Sequence, residues 1–218
     1  MYQKEVLFPG VWVFHNVFSP EIDAINRMES ILNASPSPKI KWQDATVGYH
    51  QKLTDYRDCV DFKLAEFKSP QTEDEYKLGS LWTDLYTAQK QAVDEYCAYH
   101  SLEMKYWEVM NFIKYGPGQH FKEHADHGFS YSATVSLVGY PNDGYVGGEL
   151  TFPKIGLKVT PKAGDLYVFP STYLFSHIAE PVQEGIKYSI VTMLDYNDHA
   201  HNQDFYALRT RMVEQENK

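Results

Sequence analysis

Tyr115-Gly116-Pro117-Gly118-Gln119-His120-Phe121-Lys122-Glu123-His124-Ala125-Asp126 is the stretch on which the reading of this chain turns. Gly116-Pro117-Gly118 rules out a continuous helix and marks a turn. Before it, Tyr106 to Tyr115 is rich in aromatic and branched residues, as strands are. After it, an extended run ends on His124 and Asp126, whose side chains at i and i+2 share one face of a strand. The same rhythm continues outward. Tyr131 to Tyr140, Gly147-Gly148-Glu149-Leu150-Thr151-Phe152-Pro153 and Pro161 to Pro170 follow as short strands between Gly, Pro, Asn and Asp punctuation, and the run closes through His177, Pro181-Val182, Gly185 and Lys187-Tyr188-Ser189. Upstream, Val11 to Phe18 reads as a strand. A helix follows, with Ser19 as cap, Pro20 at its first position, and Ile22, Ile25, Met28, Ile31 and Leu32 at helical spacing. Residues 34–62, with Pro36, Pro38 and Gly48, read as a short strand between loops, a segment of the kind that closes over barrel mouths. A long helix is expected from about Thr72 to Tyr99, and a last amphipathic helix from about Gln203 to Glu216. Helices first and many short strands afterwards give an α+β chain: a double-stranded β-helix, or jelly roll, with N-terminal helices packed on one face. One domain is expected over 1–218, with 1–105 as helical and strand support, 106–196 as the jelly-roll core and 197–218 as a tail helix.

Composition narrows the function. Hydrophobic residues at 43% and aromatics at 15% of 218 residues argue for a packed core and against disorder. No apolar run approaches the roughly 18 residues that span a bilayer, and Met1-Tyr2-Gln3-Lys4-Glu5 lacks a secretion signal's layout, so no membrane partner is expected. Cys59 and Cys97 are too few for a disulfide framework, which points to a reducing, cytoplasmic setting. A formal net charge of -9 disfavours nucleic acid as a partner.

His124 and Asp126, joined by a histidine from a distant strand, would place two imidazoles and one carboxylate on one side of a metal. That triad leaves the opposite coordination positions open, the arrangement suited to non-haem Fe(II) chemistry with O2. His177 is the natural third ligand. Lys187, in an alternating strand with Ser189 and Val191 on its own face, would then point inward and could hold an anionic co-substrate against the metal.

From Tyr106 onward the chain resembles the 2-oxoglutarate- and Fe(II)-dependent oxygenases, in particular the prolyl 4-hydroxylase-like branch. Tyr115 to Asp126 is similar to that family's Tyr-x-x-Gly-x-x-(Tyr/Phe)-x-x-His-x-Asp, Gly147 to Pro153 to its Gly-Gly-Glu-(Thr/Leu)-x-Phe-Pro, and His177 to Lys187 to its His-x-x-x-Pro-Val-x-x-Gly-x-(Lys/Arg). The resemblance implies His124, Asp126 and His177 as iron ligands and Lys187 as the partner of the distal carboxylate of 2-oxoglutarate. It also implies Tyr115 as a further co-substrate contact, with Ser189 assisting on Lys187's strand face. The implied reaction hydroxylates a C–H bond with O2 while 2-oxoglutarate is converted to succinate and CO2, with ascorbate as reductant. An aspartate at 126 favours hydroxylation over halogenation. The implied substrates are a protein or peptide side chain or a small amino-acid-like molecule.

The departures from the branch concern substrate. Phe121 stands where a substrate-gripping tyrosine is usual, Tyr131 where an arginine is, Met193 where a tryptophan is, and Val138 where some prolyl hydroxylases carry a second co-substrate tyrosine. These departures leave the iron and 2-oxoglutarate residues in place and bear on whether the substrate is proline. His120 and His127, flanking the triplet, are read as supporting or surface residues. Asp198-His199-Ala200-His201 is read as a solvated tail. The rival from another class is a non-catalytic jelly-roll module that binds a metal or ligand. Nucleobase demethylation is disfavoured because Lys187 to Met193 lacks the arginine pattern of that family.

Overall fold

The structure is a computed structural model that describes residues 2–47, 52, 54–128 and 132–201. The N-terminal extended segment is a hairpin rather than one strand: β1 (Gln3–Phe8) pairs antiparallel with β2 (Val11–His15). The sequence reading missed β1 because its residues are largely exposed, so it shows no core alternation. The helix expected from Ser19 is interrupted. Pro20–Ile22 forms a 3-10 turn, and Asp23 takes a left-handed conformation (φ 50°) before α1 (Ala24–Ala34) begins. Asp23 tolerates that geometry because its short side chain bonds locally, accepting from Asn26 Nδ2 at 2.7 Å.

Residues 34–62 carry more regular structure than the single short strand expected, namely β3 (Gln43–Asp44), β4 (Arg57–Asp58) and the start of β5 (Val60–Leu64). Next comes α2 (Glu73–Tyr99), opened by a capping box in which the Thr72 hydroxyl accepts from the Glu75 amide while the Glu75 carboxylate accepts from the Thr72 amide. Its buried stripe, including Leu78, Leu81, Leu85, Ala92 and Val93, packs with Met28, Ile31 and Leu32 of α1 into one core. The remaining strands are β6 (Tyr106–Trp107), β7 (Met110–Tyr115), β8 (His120–His124), β9 (Val135–Tyr140), β10 (Val146–Gly147), β11 (Leu150–Phe152) and β12 (Leu157–Val159). They continue as β13 (Asp165–Pro170), β14 (His177–Ala179), β15 (Val182–Glu184) and β16 (Lys187–Asp195). The helix expected over 203–216 lies outside the described residues.

A nine-stranded sheet runs β1-β2-β13-β9-β16-β7-β5-β3, with β6 added beside β16; a five-stranded sheet runs β12-β11-β14-β8-β4, and β10 pairs with β15. This is the antiparallel jelly roll. The N-terminal half contributes strands to both edges of the large sheet as well as its helices. Tyr188, Ile190 and Leu194 of β16 turn to the helices, whereas Lys187, Ser189, Val191 and Met193, the alternate set, line the space inside the roll.

Candidate active site

β8 and β14 are neighbours in the smaller sheet, and their register sets His177 directly opposite His124. Asp126, two residues past His124, comes back to the same point. Its Oδ1 lies 3.7 Å from His124 Nε2 and its Oδ2 3.8 Å from His177 Nε2. One donor atom from each of the three residues falls within 4.8 Å of the other two. The far ring nitrogens are tied down, His124 Nδ1–H donating to the Lys122 carbonyl at 2.8 Å and His177 Nδ1–H to that of Phe175 at 3.2 Å. Both Nε2 lone pairs therefore face Asp126, the tautomer a metal requires. Burial, followed by the neighbouring His177, holds His124 down at a pKa of about 3, with Asp126 opposing, so the ring is neutral and able to ligate. The donor set of two neutral imidazoles and one carboxylate, all on one side, fits Fe(II).

The Asp126 carboxylate is held in place by the Ser136 hydroxyl, which donates to Oδ2 at 2.5 Å and is itself 2.8 Å from the Ser171 hydroxyl. His127 serves as support: its amide donates to the Ser171 carbonyl at 2.9 Å, and its Nδ1 lies 2.8 Å from the Ala133 carbonyl. His120, whose ring lies against the carbonyls of Gly118 and Asp55, belongs to no metal-binding group among the described residues.

Lys187 lies deep in the roll, 1% exposed, where β16 pairs it with Tyr115 of β7. Its ammonium donates to the Gly148 carbonyl at 2.7 Å and lies 4.9 Å from the Tyr115 ring and 5.6 Å from that of Tyr140. Gly148 has to be glycine: its φ is +66°, and a Cβ would stand 2.9 Å from Lys187 Cδ. Among the described residues no carboxylate comes within ion-pairing distance of Lys187, and burial brings its pKa down from 10.5 to about 7, against the pull of Cys59, Glu149 and Glu180. A buried cation without a counter-ion is costly unless an anion arrives to meet it.

Tyr115 is buried, and burial, followed by the neighbouring Cys59, raises its pKa well above 10. Ser189, opposite Ile113, lines the same cavity. The structure thus gathers all six residues singled out in the sequence around one cavity. Val138 lies in its wall, as does Tyr140, two residues further along the same face, so a second tyrosine does stand beside Lys187. Phe121 and Met193 line it too; Tyr131 lies outside the described residues. His201 departs from expectation. Rather than belonging to a solvated tail, it stacks on Tyr106 with ring centroids 3.8 Å apart and meets Glu108 at 2.5 Å.

Sequence reasoning missed Arg57, Cys59, Ser136 and Ser171. Arg57, opposite Phe121 in the β4–β8 pairing, lays its guanidinium 4.8 Å over the Phe121 ring, and that ring stacks on His124 at 3.5 Å. Arg57 also donates to the Thr46 carbonyl at 2.8 Å and to Asp61 at 3.2 Å.

With this geometry established, comparison with known proteins gives the class. Residues 110–194 match the model of the 2OG-Fe(II) oxygenase superfamily. The superfamily works with Fe(II), 2-oxoglutarate and O2. No curated protein matches the chain in sequence. Among solved structures, it is similar to a Trichoplax adhaerens prolyl hydroxylase in complex with a hypoxia inducible factor peptide fragment (14% identity, 85% of this chain and 83% of that one, TM-score 0.66). It is also similar to a Pseudomonas putida prolyl-4-hydroxylase (19% identity, 86% and 93% covered, TM-score 0.58). A third is the 2OG complex of a viral collagen prolyl hydroxylase from Paramecium Bursaria Chlorella virus-1 (17% identity, 88% and 94% covered, TM-score 0.57). At such identities the likeness is one of fold.

Proposed function

We propose that this oxygenase hydroxylates an unactivated C–H bond of a protein or peptide side chain, converting 2-oxoglutarate and O2 to succinate and CO2. The observation that carries the reading is the buried Lys187, which meets no carboxylate among the described residues, in the same cavity as the His124-Asp126-His177 triad. When bound, the iron supplies O2 activation coupled to decarboxylation of the 2-oxo acid. The residues supply the rest. His124, Asp126 and His177 would hold the metal from one side, and Ser136 keeps Asp126 aimed. Lys187 neutralises the distal carboxylate of the co-substrate, flanked by Tyr115, Tyr140 and Ser189. Ile113, Val138, Leu150 and Val191 make the cavity apolar and exclude water, which strengthens the Lys187 attraction. A peptide-sized substrate is supported by the peptide complex of the Trichoplax relative. A reducing, intracellular location is supported by two buried free thiols, Cys59 and Cys97. The acidic balance argues against nucleic acid.

Purified protein with Fe(II), ascorbate, 2-oxoglutarate and a peptide library should release succinate and give a product heavier by about 16 mass units, one oxygen atom. Turnover no higher than that of His124→Ala across the library, with iron still bound, would reverse the reading in favour of a binding module.

A further inference from the structure

The cavity that holds Lys187 and a second, outer cavity share Arg57, Asn111, Phe121, His124, Asp126 and Met193. These residues form the throat between the two. Because two of them are metal ligands, a carbon to be hydroxylated has to reach this throat. Phe121 and Met193 offer only apolar contact there. Arg57 and Asn111 each bring a buried polar atom that has no hydrogen-bond partner among the described residues, the Nε–H donor of Arg57 and the Oδ1 acceptor of Asn111. Neither is loose. Arg57 is fixed by Thr46, Asp61 and the Phe121 ring. Asn111 sits in β7 between Lys63 of β5 and Val191 of β16. Native interiors pair nearly all such atoms, and those left over call for an explanation.

We infer that Arg57 Nε and Asn111 Oδ1 are the polar anchors for substrate, so that the substrate presents an amide within a few bonds of the carbon that is hydroxylated. One amide supplies both missing partners, a carbonyl for Arg57 and an N–H for Asn111. A carboxylate supplies only acceptors and would leave the Oδ1 of Asn111 unpaired. The throat is not strongly cationic either, because Asp61 lies against the Arg57 guanidinium. The amide can be a peptide bond or a side-chain carboxamide. The inference rests on the hydroxylase reading and names its substrate class.

The test uses full-length protein loaded with Fe(II) and 2-oxoglutarate under nitrogen, so that no turnover occurs. Affinity selection with mass spectrometry compares a pooled library of acetyl-X-Y-methylamides with the same sequences carrying esters in place of the backbone amides. Wild type should retain amide members at least about tenfold over their ester counterparts, the cost of leaving one buried acceptor unpaired. Asn111→Leu, branched at the same carbon and without the acceptor, should bring the ratio near one, and Arg57→Lys should weaken retention of both libraries. Ester members retained only when they contain Asn or Gln would identify the carboxamide as the source and still support the inference. Equal retention of both libraries by wild type, retention of neither, or an unchanged ratio in Asn111→Leu would overturn it. A 2-oxoglutarate-dependent thermal shift, measured separately, reports on the co-substrate end, so failure of the amide inference is distinguishable from failure of the hydroxylase reading.

Discussion

Replacing Lys187 with methionine should stabilise the ligand-free protein while destroying its affinity for 2-oxoglutarate. Among the described residues the lysine has a carbonyl and two aromatic rings near it but no counter-ion, and its pKa falls from 10.5 to about 7. At about 1.36 kcal/mol per tenfold, that displacement represents on the order of 5 kcal/mol of folding stability withheld at neutral pH. Between about pH 7 and 10.5 the unfolded chain carries the lysine proton and the folded chain does not, so stability rises with pH through that window. Below about 7 the penalty is present in full, and above 10.5 it is gone. Methionine removes the penalty, so urea unfolding at pH 7 should show a more stable variant, with the gap to wild type closing as pH rises. Binding runs the other way. The dianion needs the charged lysine, so above about pH 7 the free protein must take up a proton, and apparent affinity should fall about tenfold per pH unit. Calorimetric titration with 2-oxoglutarate, in two buffers of different ionisation enthalpy, measures that proton directly. The methionine variant should lose about a hundredfold or more in affinity, as expected for one side of a buried charge pair. Affinity flat from about pH 6 to 9 with no buffer-dependent heat, or a variant that binds as wild type, would refute the reasoning.

Ser136→Ala leaves Asp126 without its 2.5 Å donor, so metal affinity should fall roughly 10- to 100-fold in a metal titration, with the fold retained in circular dichroism. Leu85→Ala empties a fully buried position in the core between α2 and the large sheet and should cost about 2–5 kcal/mol by urea midpoint. Thr72→Ala removes the hydroxyl that caps α2 and should cost about 1 kcal/mol, visible as a lowered Tm.

The parts of the molecule legible in the sequence are those set by local periodicity or by side chains with few other uses. The stripe of α2, the alternation that turns Lys187, Ser189 and Val191 inward, and the i, i+2 spacing of His124 and Asp126 are all local facts. What escaped was decided by pairing across long separations. β3 and β4 are two residues each and exist because β5 and β8 lie beside them. Arg57 lay in a segment with no periodicity, and only its pairing with Phe121 brings it to the metal side. Ser136 and Ser171 are ordinary strand and loop serines until β9 and β13 meet. Asp23 shows the converse: the helical spacing of Ile22, Ile25 and Met28 is real, yet a left-handed residue divides the segment.

The facing of His124 and His177 across two antiparallel strands has a consequence for how the protein matures. A slip of one residue between β8 and β14 would send one imidazole to the opposite side of the sheet. Metal binding would therefore report on the ladder, since only molecules with the correct alignment bring both imidazoles to one side.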